Sequence, residues 1–227
     1  ADLGHRGVEP VPSLFTFNMP DDPITGLTGT VVEPALVYLQ GMKWQAEGPV
    51  LITHWGLSGP AILKLSAFGA RDLHACDYTF GVRVNWTGEV NHEILSGQVR
   101  ALIDAHPSRQ VSSVRPFGLP KRFWLYFLEK QGLPLQRKWS ELGKKGINRL
   151  IQGLTNDVYQ ARGKTGFKEE FVTSGGVSLK SVNMKTMESK ACPNLYFAGE
   201  VLDIDAVTGG YNFQAAWTTG YKAGQLR

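Results

Sequence analysis

The sequence predicts an α+β fold in which a small helical unit is inserted into a β-rich part and a separate strand–helix segment follows. Three observations predict it. Apolar and polar residues alternate with a period of two at 78–86, which is typical of a half-buried strand. The period becomes that of a helix at 95–103. Strand-like sequence returns at 156–173, so the helices between are expected to form an insertion in the sheet.

Changes in composition divide the chain into five predicted regions. The first is rich in proline, and prolines favour extended backbone over helix. The regions are a connector at 1–24, a β-rich part at 25–92, a helical subdomain at 93–155, a return to the β part at 156–173 and a C-terminal segment at 174–227.

The β-rich part contains two further predicted strand regions, at 27–39 and 49–53, where valine, leucine and isoleucine are frequent. A short helix is expected after them. Ser58 or Gly59 can cap this helix, and Pro60 suits its first turn because the amide that proline lacks would have no helical partner there.

Three helices are predicted in the helical subdomain. The first ends before Pro107, the second runs from Pro120 to Gly132, and the third spans 140–154. One face of the second helix carries large apolar side chains four residues apart, namely Phe123, Trp124, Phe127 and Leu128. This stripe is expected to be core rather than a cofactor site.

Two elements are predicted near the carboxyl terminus. Residues 195–198 are continuously apolar, as in a parallel strand covered on both faces, and such a strand needs parallel neighbours. A helix is predicted at 212–225. Its small residues Ala216, Gly220 and Gly224 lie on one face and would let another backbone approach closely.

Length and composition exclude several classes of protein. A chain of 227 residues with 42% hydrophobic residues is long enough for one or two domains with an ordinary core. Its formal net charge of +4 permits nucleic-acid binding without indicating it, so a nucleic-acid partner is not expected. The apolar stretches are too short for a membrane helix, so no membrane partner is expected either.

The cysteines and the first residues predict the cellular context. Cys76 and Cys192, far apart in the sequence, indicate neither a disulfide framework nor a zinc site, so we expect reduced thiols and a cytoplasmic location. The chain begins at Ala1 without a charged, apolar leader, which predicts no signal peptide and a piece of a longer polypeptide. No metal site is predicted, because the remaining histidines lie singly at His5, His74, His92 and His106.

One segment near the carboxyl terminus suits a ligand. Glu200 follows the predicted buried strand, and Gly209-Gly210 opens the last helix. A carboxylate at that place, with free amides of a helix N-terminus near Tyr211 and Asn212, suits a molecule that carries hydroxyls and one group that becomes anionic. Flavin adenine dinucleotide (FAD) is such a molecule. The alternative is an ordinary strand–turn–helix connection with glycine as its turn residue.

His54 is the candidate catalytic residue. It follows an apolar strand and is expected on a loop beside the start of a helix, where it can act as an acid or base beside a bound substrate. The alternative is that His54 bonds to the backbone and fixes the loop. Residues 56–60 resemble the hydrolase pattern G-x-S-x-G, but Pro60 stands at its last glycine and no acid–histidine pair is identifiable, so a hydrolase is excluded.

Two further pairs lie near the candidate ligand segment. Asp203 and Asp205 form an acidic pair in a loop, where a solvated or loop-capping role and a cofactor contact both remain open. Trp217 and Tyr221, four residues apart, are expected to pack on the helix rather than to stack on a ring.

Several short segments occur together and in order from one end of the chain to the other. They are LGH at 3–5, PSL at 12–14, THWGLSGP at 53–60, VTSGGV at 172–177, TMESK at 186–190, LYFAGEVLD at 195–203, TGGYN at 208–212, AW at 216–217 and TGY at 219–221. This set resembles a bacterial family of FAD-dependent oxidoreductases, the aminoacetone-oxidase-like or NAD(P)/FAD-dependent oxidoreductases. It is far more specific than a single glycine motif.

The resemblance implies a particular architecture. In that family an N-terminal segment with G-x-G-x-x-G binds the ADP half of FAD, an inserted β-barrel with helices follows, and the chain returns to complete the FAD domain. This sequence has no G-x-G-x-x-G after a strand. It therefore resembles a barrel-like sheet with an inserted helical bundle, plus a C-terminal strand–helix segment of an α/β FAD-binding domain. The missing N-terminal segment is an expected partner.

The resemblance also implies a set of cofactor-binding residues. Gly175, Gly176 and Val177 would lie near the flavin ring, and Glu200 near the ribityl chain. Gly210, Tyr211 and Asn212 would lie at the pyrimidine edge of the ring. The whole set is Gly175, Gly176, Val177, Gly199, Glu200, Asp203, Gly209, Gly210, Tyr211, Asn212 and Phe213.

These observations predict a segment of an FAD-dependent oxidoreductase that transfers a hydride equivalent between a small organic substrate and flavin. NAD(P)H or oxygen is the other expected partner, and the segment alone is expected to be inactive and to bind FAD weakly or not at all. The competing hypothesis is a non-catalytic barrel and helical binding module. Its basic surface, on the helices near 115–145, would contact RNA or a protein.

Overall fold

The computed structural model describes residues 3–163 and 172–225, and it confirms the α+β class. These residues form ten strands and six helices, joined by loops and short 3-10 turns. The strands are β1 (Gly7–Ser13), β2 (Phe17–Asn18), β3 (Val31–Val32), β4 (Leu36–Leu39), β5 (Gln45–Glu47), β6 (Val50–Ile52), β7 (Gly56–Ser58), β8 (Thr79–Asn85), β9 (Asp157–Arg162) and β10 (Val172–Val177). The helices are α1 (Pro60–Phe68), α2 (Ala70–Ala75), α3 (His92–Ala105), α4 (Lys121–Lys130), α5 (Gly143–Thr155) and α6 (Tyr211–Gly224).

The chain divides into two compact units, each assembled from separated stretches of sequence. The first unit comprises Ala1–Thr16, Leu63–Tyr78 and Lys164–Arg227, and the second comprises Phe17–Ile62 and Thr79–Gly163. The chain passes between them four times, and one of these passages lies within α1. The five regions expected from composition stay a prediction.

The second unit contains two antiparallel sheets of four strands. Their orders are β2-β7-β6-β3 and β5-β4-β8-β9. The side chains of Phe80, Val82 and Val84 on β8 are buried and alternate with less buried ones, which confirms the strand predicted from the period of two. Within the described residues the sheets do not close into a barrel.

The three predicted helices of the insertion are confirmed as α3, α4 and α5. The apolar face of α4 is core as expected, with Phe123, Trp124, Phe127 and Leu128 all buried. Trp86 packs on this face, and its ring centroid lies 4.6 Å from that of Phe123. The helical insertion and the end of β8 therefore share one apolar core.

A buried ionic cluster stands beside that core. The carboxylate of Asp157 is 3% exposed and accepts hydrogen bonds from Lys130 Nζ (2.6 Å), Trp86 Nε1 (2.9 Å) and the Tyr159 hydroxyl (2.5 Å). Burial, and then the charge of Asp157, raises the pKa of Tyr159 well above its usual range. Because the carboxylate accepts hydrogen bonds from one cation and two neutral donors, the free-energy cost of removing it from water is compensated.

The first unit is built on an antiparallel pair of strands, β1 and β10. The predicted extended backbone is confirmed here, although β1 is a paired strand rather than a free connector. Pro10 and Pro12 are accommodated because a two-stranded sheet has only edge strands, and a bulge lies between Val8 and Val11. A small apolar cluster of Val182, Met187 and Leu202 forms the core beside it.

The parallel strand predicted at 195–198 is wrong. Tyr196 forms an isolated antiparallel bridge with Glu188, and the Phe197 amide donates to the Met187 carbonyl (2.9 Å). All strand pairs within the described sheets are antiparallel. A parallel strand needs parallel neighbours, and the one parallel pair among the described residues is the isolated bridge between Val177 and Leu202, which lies outside 195–198.

The last predicted helix is confirmed as α6, but its small-residue face is not packed as expected. A Cβ atom built at Gly220 or Gly224 meets nothing within 4 Å, and Thr219 is the buried residue of the helix. The cysteines Cys76 and Cys192 are free, as predicted. No described helix has the length and apolarity needed to cross a membrane.

Candidate cofactor-binding site

The first unit contains an apolar cavity of about 250 Å³ beside the start of α6. Five of the predicted cofactor-binding residues line it, namely Glu200, Gly209, Gly210, Asn212 and Phe213. The remaining lining residues are Leu14, Leu63, Val172 and Thr208, which the sequence analysis did not assign to the site. Leu14 and Leu63 carry no local signal because they come from distant parts of the chain.

Two glycines give the start of α6 its shape. Gly209 has a φ of +132° and Gly210, the N-cap residue, has a φ of +82°. A Cβ built at Gly210 would meet nothing within 4 Å, so the backbone conformation rather than space favours glycine there. No side chain caps the helix, and the first helical bond runs from Gln214 N to Gly210 O. The earlier amides, from Tyr211 on, therefore have no partner within the helix and carry its positive dipole end.

Asn212 fixes the loop that precedes α6. Its Oδ1 accepts from the Ala206 amide and its Nδ2 donates to the Ala206 carbonyl, both at 2.9 Å. Both functional groups of this side chain are therefore engaged with the loop. What Asn212 can offer a ligand at the helix start is its main-chain amide.

A buried threonine positions Glu200. Thr219 Oγ1 accepts from the Gly199 amide (2.9 Å) and donates to the Ala215 carbonyl (2.7 Å), which ties the 3-10 turn Gly199–Val201 to α6. Glu200 lies in this turn, is exposed, and lines the cavity. The sequence predicted no role for Thr219, because the adjacent Thr218 carries the same hydroxyl and nothing local distinguishes the two.

Gly175 and Gly176 contact protein backbone closely. A Cβ at Gly175 would overlap the Glu9 carbonyl, and one at Gly176 would overlap the Val201 carbonyl. Val177 continues this contact, because its carbonyl accepts from the Asp203 amide (2.9 Å). Gly176 and Val177 therefore support the turn that carries Glu200, whereas Gly175 packs on β1. They do not line the cavity, and their contact with a flavin stays a prediction.

Asp203 and Tyr211 also lie outside the cavity lining. Asp203 Oδ1 is 4.0 Å from Arg71 Nη2, and its neighbour Asp205 accepts from Ser13 Oγ (3.3 Å). Both acidic side chains thus hold the loop within the first unit. Tyr211 is 60% exposed. A direct cofactor contact for Asp203 or Tyr211 stays a prediction.

His54 belongs to the second unit, in the tight turn between β6 and β7, and its side chain is exposed. Strand β7 follows this turn, so the expectation that His54 stands directly beside a helix start is wrong. Thr53 holds the turn instead, because its Oγ1 accepts from the Trp55 and Gly56 amides, both at 3.2 Å. The catalytic role of His54 stays a prediction.

An aromatic face runs along α6, formed by Phe213, Trp217 and Tyr221 at intervals of four residues. Their side chains are 66%, 69% and 71% exposed. The Phe213 and Trp217 rings are stacked, with centroids 6.1 Å apart. Trp217 therefore packs along the helix against Phe213, and the packing expected between Trp217 and Tyr221 stays a prediction. Contiguous exposed apolar surface of this kind marks a site of interaction.

The described residues hold no group of three histidine, cysteine or acidic side chains that could bind a metal ion. The chemistry that the first unit offers is a small apolar cavity with one carboxylate and a helix N-terminus. It suits an organic ring system with a group that becomes negatively charged.

The fold is that of a mixed α+β protein, and its first unit contains an apolar cavity. A family model described as the HI0933-like protein barrel and H2TH domain matches residues 11–172, so the chain belongs to the HI0933-like family. The match spans the whole of the second unit.

Relatives with assigned names are enzymes. The chain is 31% identical over 199 residues to a ribosomal RNA dihydrouridine synthase of Escherichia coli, which covers 88% of this chain and 46% of the relative. It is 30% identical to the protein of that name from Haemophilus influenzae, covering 91% and 48%. It is 29% identical to a 3-dehydro-bile acid delta(4,6)-reductase of Clostridium scindens, covering 98% and 55%. The chain thus spans about half the length of these relatives.

Proposed function

We propose that this chain is part of an FAD-dependent oxidoreductase and that its first unit holds the flavin ring. The cavity at the start of α6 carries this proposal, because it gathers five residues that the resemblance assigned to the cofactor. The name of the bile-acid reductase relative supports an oxidoreductase. A hydride equivalent would pass between a small organic substrate and the flavin, with NAD(P)H as a candidate co-substrate.

The residues present fit part of such a cofactor. The cavity of about 250 Å³ is smaller than sites for drug-sized ligands, which range from roughly 300 to 1,000 Å³. It can take a ring system but not a whole dinucleotide. We therefore propose that a further segment of the same polypeptide binds the rest of FAD. The exposed aromatic face of α6 and its open small-residue face support this, because both lack a cover among the described residues.

Each lining residue has a physical role in this proposal. The amides at the start of α6 favour negative charge on a ring edge, since they carry the positive end of the helix dipole. Glu200 accepts hydrogen bonds from ligand hydroxyls. Leu14, Leu63 and Val172 supply an apolar, water-poor wall. When bound, the flavin supplies two-electron chemistry, and the protein contributes orientation and electrostatics.

We further propose that the reaction is the reduction of a carbon–carbon double bond conjugated to a carbonyl group. The names of the relatives support this class, because a delta(4,6)-reductase and a dihydrouridine synthase both describe the saturation of such bonds. A hydride would add to one carbon and a proton to the other, so the substrate gains two hydrogen atoms.

His54 is the candidate proton donor, tested by the pH profile of a His54→Gln variant with Trp55→Phe as control.

The test compares the longer polypeptide with the 227-residue chain. The longer polypeptide is expected to purify with a yellow chromophore that mass spectrometry identifies as FAD. The 227-residue chain is expected to perturb the visible spectrum of added FAD weakly or not at all. A colourless longer polypeptide that also does not bind added FAD would contradict the proposed function. A stoichiometric yellow 227-residue chain would contradict the need for a further segment.

A pair of glycine variants locates the site in the longer polypeptide. Gly210 and Gly29 have nearly equal φ angles of +82° and +85°, and a Cβ meets nothing within 4 Å at either position. Alanine therefore costs the same backbone strain, about 1 kcal/mol, at both. Gly210→Ala is expected to weaken flavin retention, and Gly29→Ala is expected to leave it unchanged. Equal retention in the two variants would place the flavin elsewhere.

The competing function is a binding module without catalysis. One observation favours it, namely the concentration of basic residues in the helical insertion of the second unit. A longer polypeptide that lacks flavin but binds a polyanion would favour this candidate over the oxidoreductase.

A further inference from the structure

One buried residue of the cavity wall has a strained backbone. Leu14 is 2% exposed and has a φ of +57°, in the left-handed region that a branched side chain rarely adopts. Seven of the described residues other than glycine have a positive φ, and Leu14 is the one among them that lines the cavity at the start of α6. Strain of this kind persists only where the surrounding structure holds it, and it concentrates at sites of function.

The residue before Leu14 is held on two sides. Ser13 is buried, and it pairs with Val172 at the end of the β1–β10 ladder. Its hydroxyl donates to the Asp205 carboxylate (3.3 Å). Val172 itself lines the cavity. The strand pair therefore fixes the main chain at the point where it reaches the cavity wall.

The residue after Leu14 is held by a buried hydroxyl. The Phe15 amide donates to Ser66 Oγ (3.0 Å), and this hydroxyl donates in turn to the Leu63 carbonyl (2.9 Å). Ser66 is 0% exposed, and Leu63 lies one turn before it on α1 and lines the cavity. One hydroxyl therefore links the main chain beside Leu14 to the main chain of a second leucine of the wall.

The contacts on both sides leave Leu14 in a conformation that glycine would adopt without strain. The leucine side chain must therefore contribute something that glycine does not. Part of its surface borders the cavity, where protein atoms do not pack against it. A flat organic ring in the cavity would supply the missing van der Waals contacts.

We propose that Leu14 is held in this strained conformation so that its side chain positions the flavin ring by direct contact. This inference rests on the proposed function, because that proposal assigns the ring to this cavity. The amides at the start of α6 attract the anionic edge of a ring, and a rigid apolar wall fixes the orientation of its apolar part. Leu14 is thus a contact residue, and Ser66 is a positioning residue that acts through the main chain.

The test separates stability from flavin binding with four variants. Leu14→Ala and Leu14→Gly remove the side chain, and glycine also relieves the strain. Leu73→Ala and Leu73→Gly are the matched controls, because Leu73 is 0% exposed, lies in α2 of the same unit and does not line the cavity. Thermal melts use the 227-residue chain. FAD binding is measured on the apoprotein of the longer polypeptide by quenching of flavin fluorescence, below the melting temperature of every variant.

Stability and binding are expected to diverge at position 14. Leu14→Gly is expected to melt about 2–4 °C above Leu14→Ala, because glycine tolerates the positive φ. At Leu73 the order is expected to be reversed, because glycine weakens a helix. Both Leu14 variants are expected to weaken FAD binding about tenfold, since each loses the contact of a leucine side chain with the ring. The Leu73 variants are expected to bind FAD as the wild type does.

Three results would overturn the proposal. One is a lower melting temperature for Leu14→Gly than for Leu14→Ala, which would show that the position is not strained. Another is FAD binding by both Leu14 variants as tight as that of the wild type. The third is an equal loss of FAD binding in the Leu14 and Leu73 variants, which would trace the loss to stability. A wild-type longer polypeptide that binds no FAD would contradict the proposed function itself, and this inference with it, whereas the three results above leave that function intact.

Discussion

Helices α4 and α6 carry similar patterns of aromatic residues with opposite outcomes. In α4 the side chains of Phe123 and Phe127, four residues apart, are 0% exposed. In α6 the side chains of Phe213 and Trp217, also four apart, are 66% and 69% exposed. Helical spacing places side chains on one face, but it does not provide anything for that face to pack against.

The surroundings explain the difference. Trp86 packs against Phe123 and Trp139 stacks on Trp124, so the aromatic face of α4 is covered by other parts of the second unit. Helix α6 contacts the 3-10 turn Gly199–Val201 through Thr219, the preceding loop through Asn212 and the small apolar cluster through Ala223. Its aromatic face is exposed. The aromatic face of α4 is part of a completed core. The aromatic face of α6 is exposed, and in our proposal a further segment and a flavin cover it.

The largest expected effect is the difference in the free energy of unfolding between an aromatic-to-alanine substitution in α4 and one in α6. Phe127→Ala is expected to lower the free energy of unfolding of the 227-residue chain by about 3–5 kcal/mol, because it leaves a cavity in a packed core. Trp217→Ala is expected to change it by less than about 0.5 kcal/mol. Urea unfolding monitored by circular dichroism measures both. A loss of several kcal/mol in Trp217→Ala would show that α6 is packed in this chain after all.

A smaller effect compares two glycines of the first unit. Gly176→Ala is expected to destabilise the β10 region by about 1–3 kcal/mol, because its φ of +129° is unfavourable for alanine and its Cβ would overlap the Val201 carbonyl. Gly210→Ala, with open space around its Cβ, is expected to cost about 1 kcal/mol. Hydrogen exchange of the β10 amides measures the local stability. Equal protection in both variants would contradict the close contact at Gly176.

The smallest expected effect concerns two tyrosines. Burial, and then the charge of Asp157, raises the pKa of Tyr159. The protonated Tyr159 side chain therefore contributes its full share to the free energy of unfolding below about pH 10, and this contribution is lost as the pH rises toward the folded pKa. Unfolding free energies from pH 8 to 11 are expected to fall more steeply for the wild type than for Tyr159→Phe. Tyr221→Phe, at a 71% exposed position, is expected to follow the wild type. Parallel curves for all three would contradict the assigned pKa direction.

Local sequence patterns predicted helices and strands correctly where other described residues pack against them. The alternation at 78–86 became β8, and the prolines and glycines at Pro60, Pro120 and Gly132 lie at or within about two residues of helix ends. The apolar run at 195–198 failed because strand formation depends on neighbours that the run itself cannot specify.

The sequence predicted only part of the candidate site, because local patterns do not show which distant residues the fold brings together. Glu200 and Gly210 carry local signals of a turn before a helix, and both line the cavity. Leu14 and Leu63 were missed, since only the folded first unit brings them to that cavity. The backbone contacts that require Gly175 and Gly176 also join distant segments, Glu9 and Val201, which no local pattern encodes.

Photolabelling of the longer polypeptide with an azido analogue of FAD tests the central proposal most directly. The label, mapped by mass spectrometry, is expected on peptides that contain residues 199–213, with loss of labelling when excess FAD competes. Labelling confined to peptides of the second unit, such as those from 79–162, would contradict a flavin site at the start of α6.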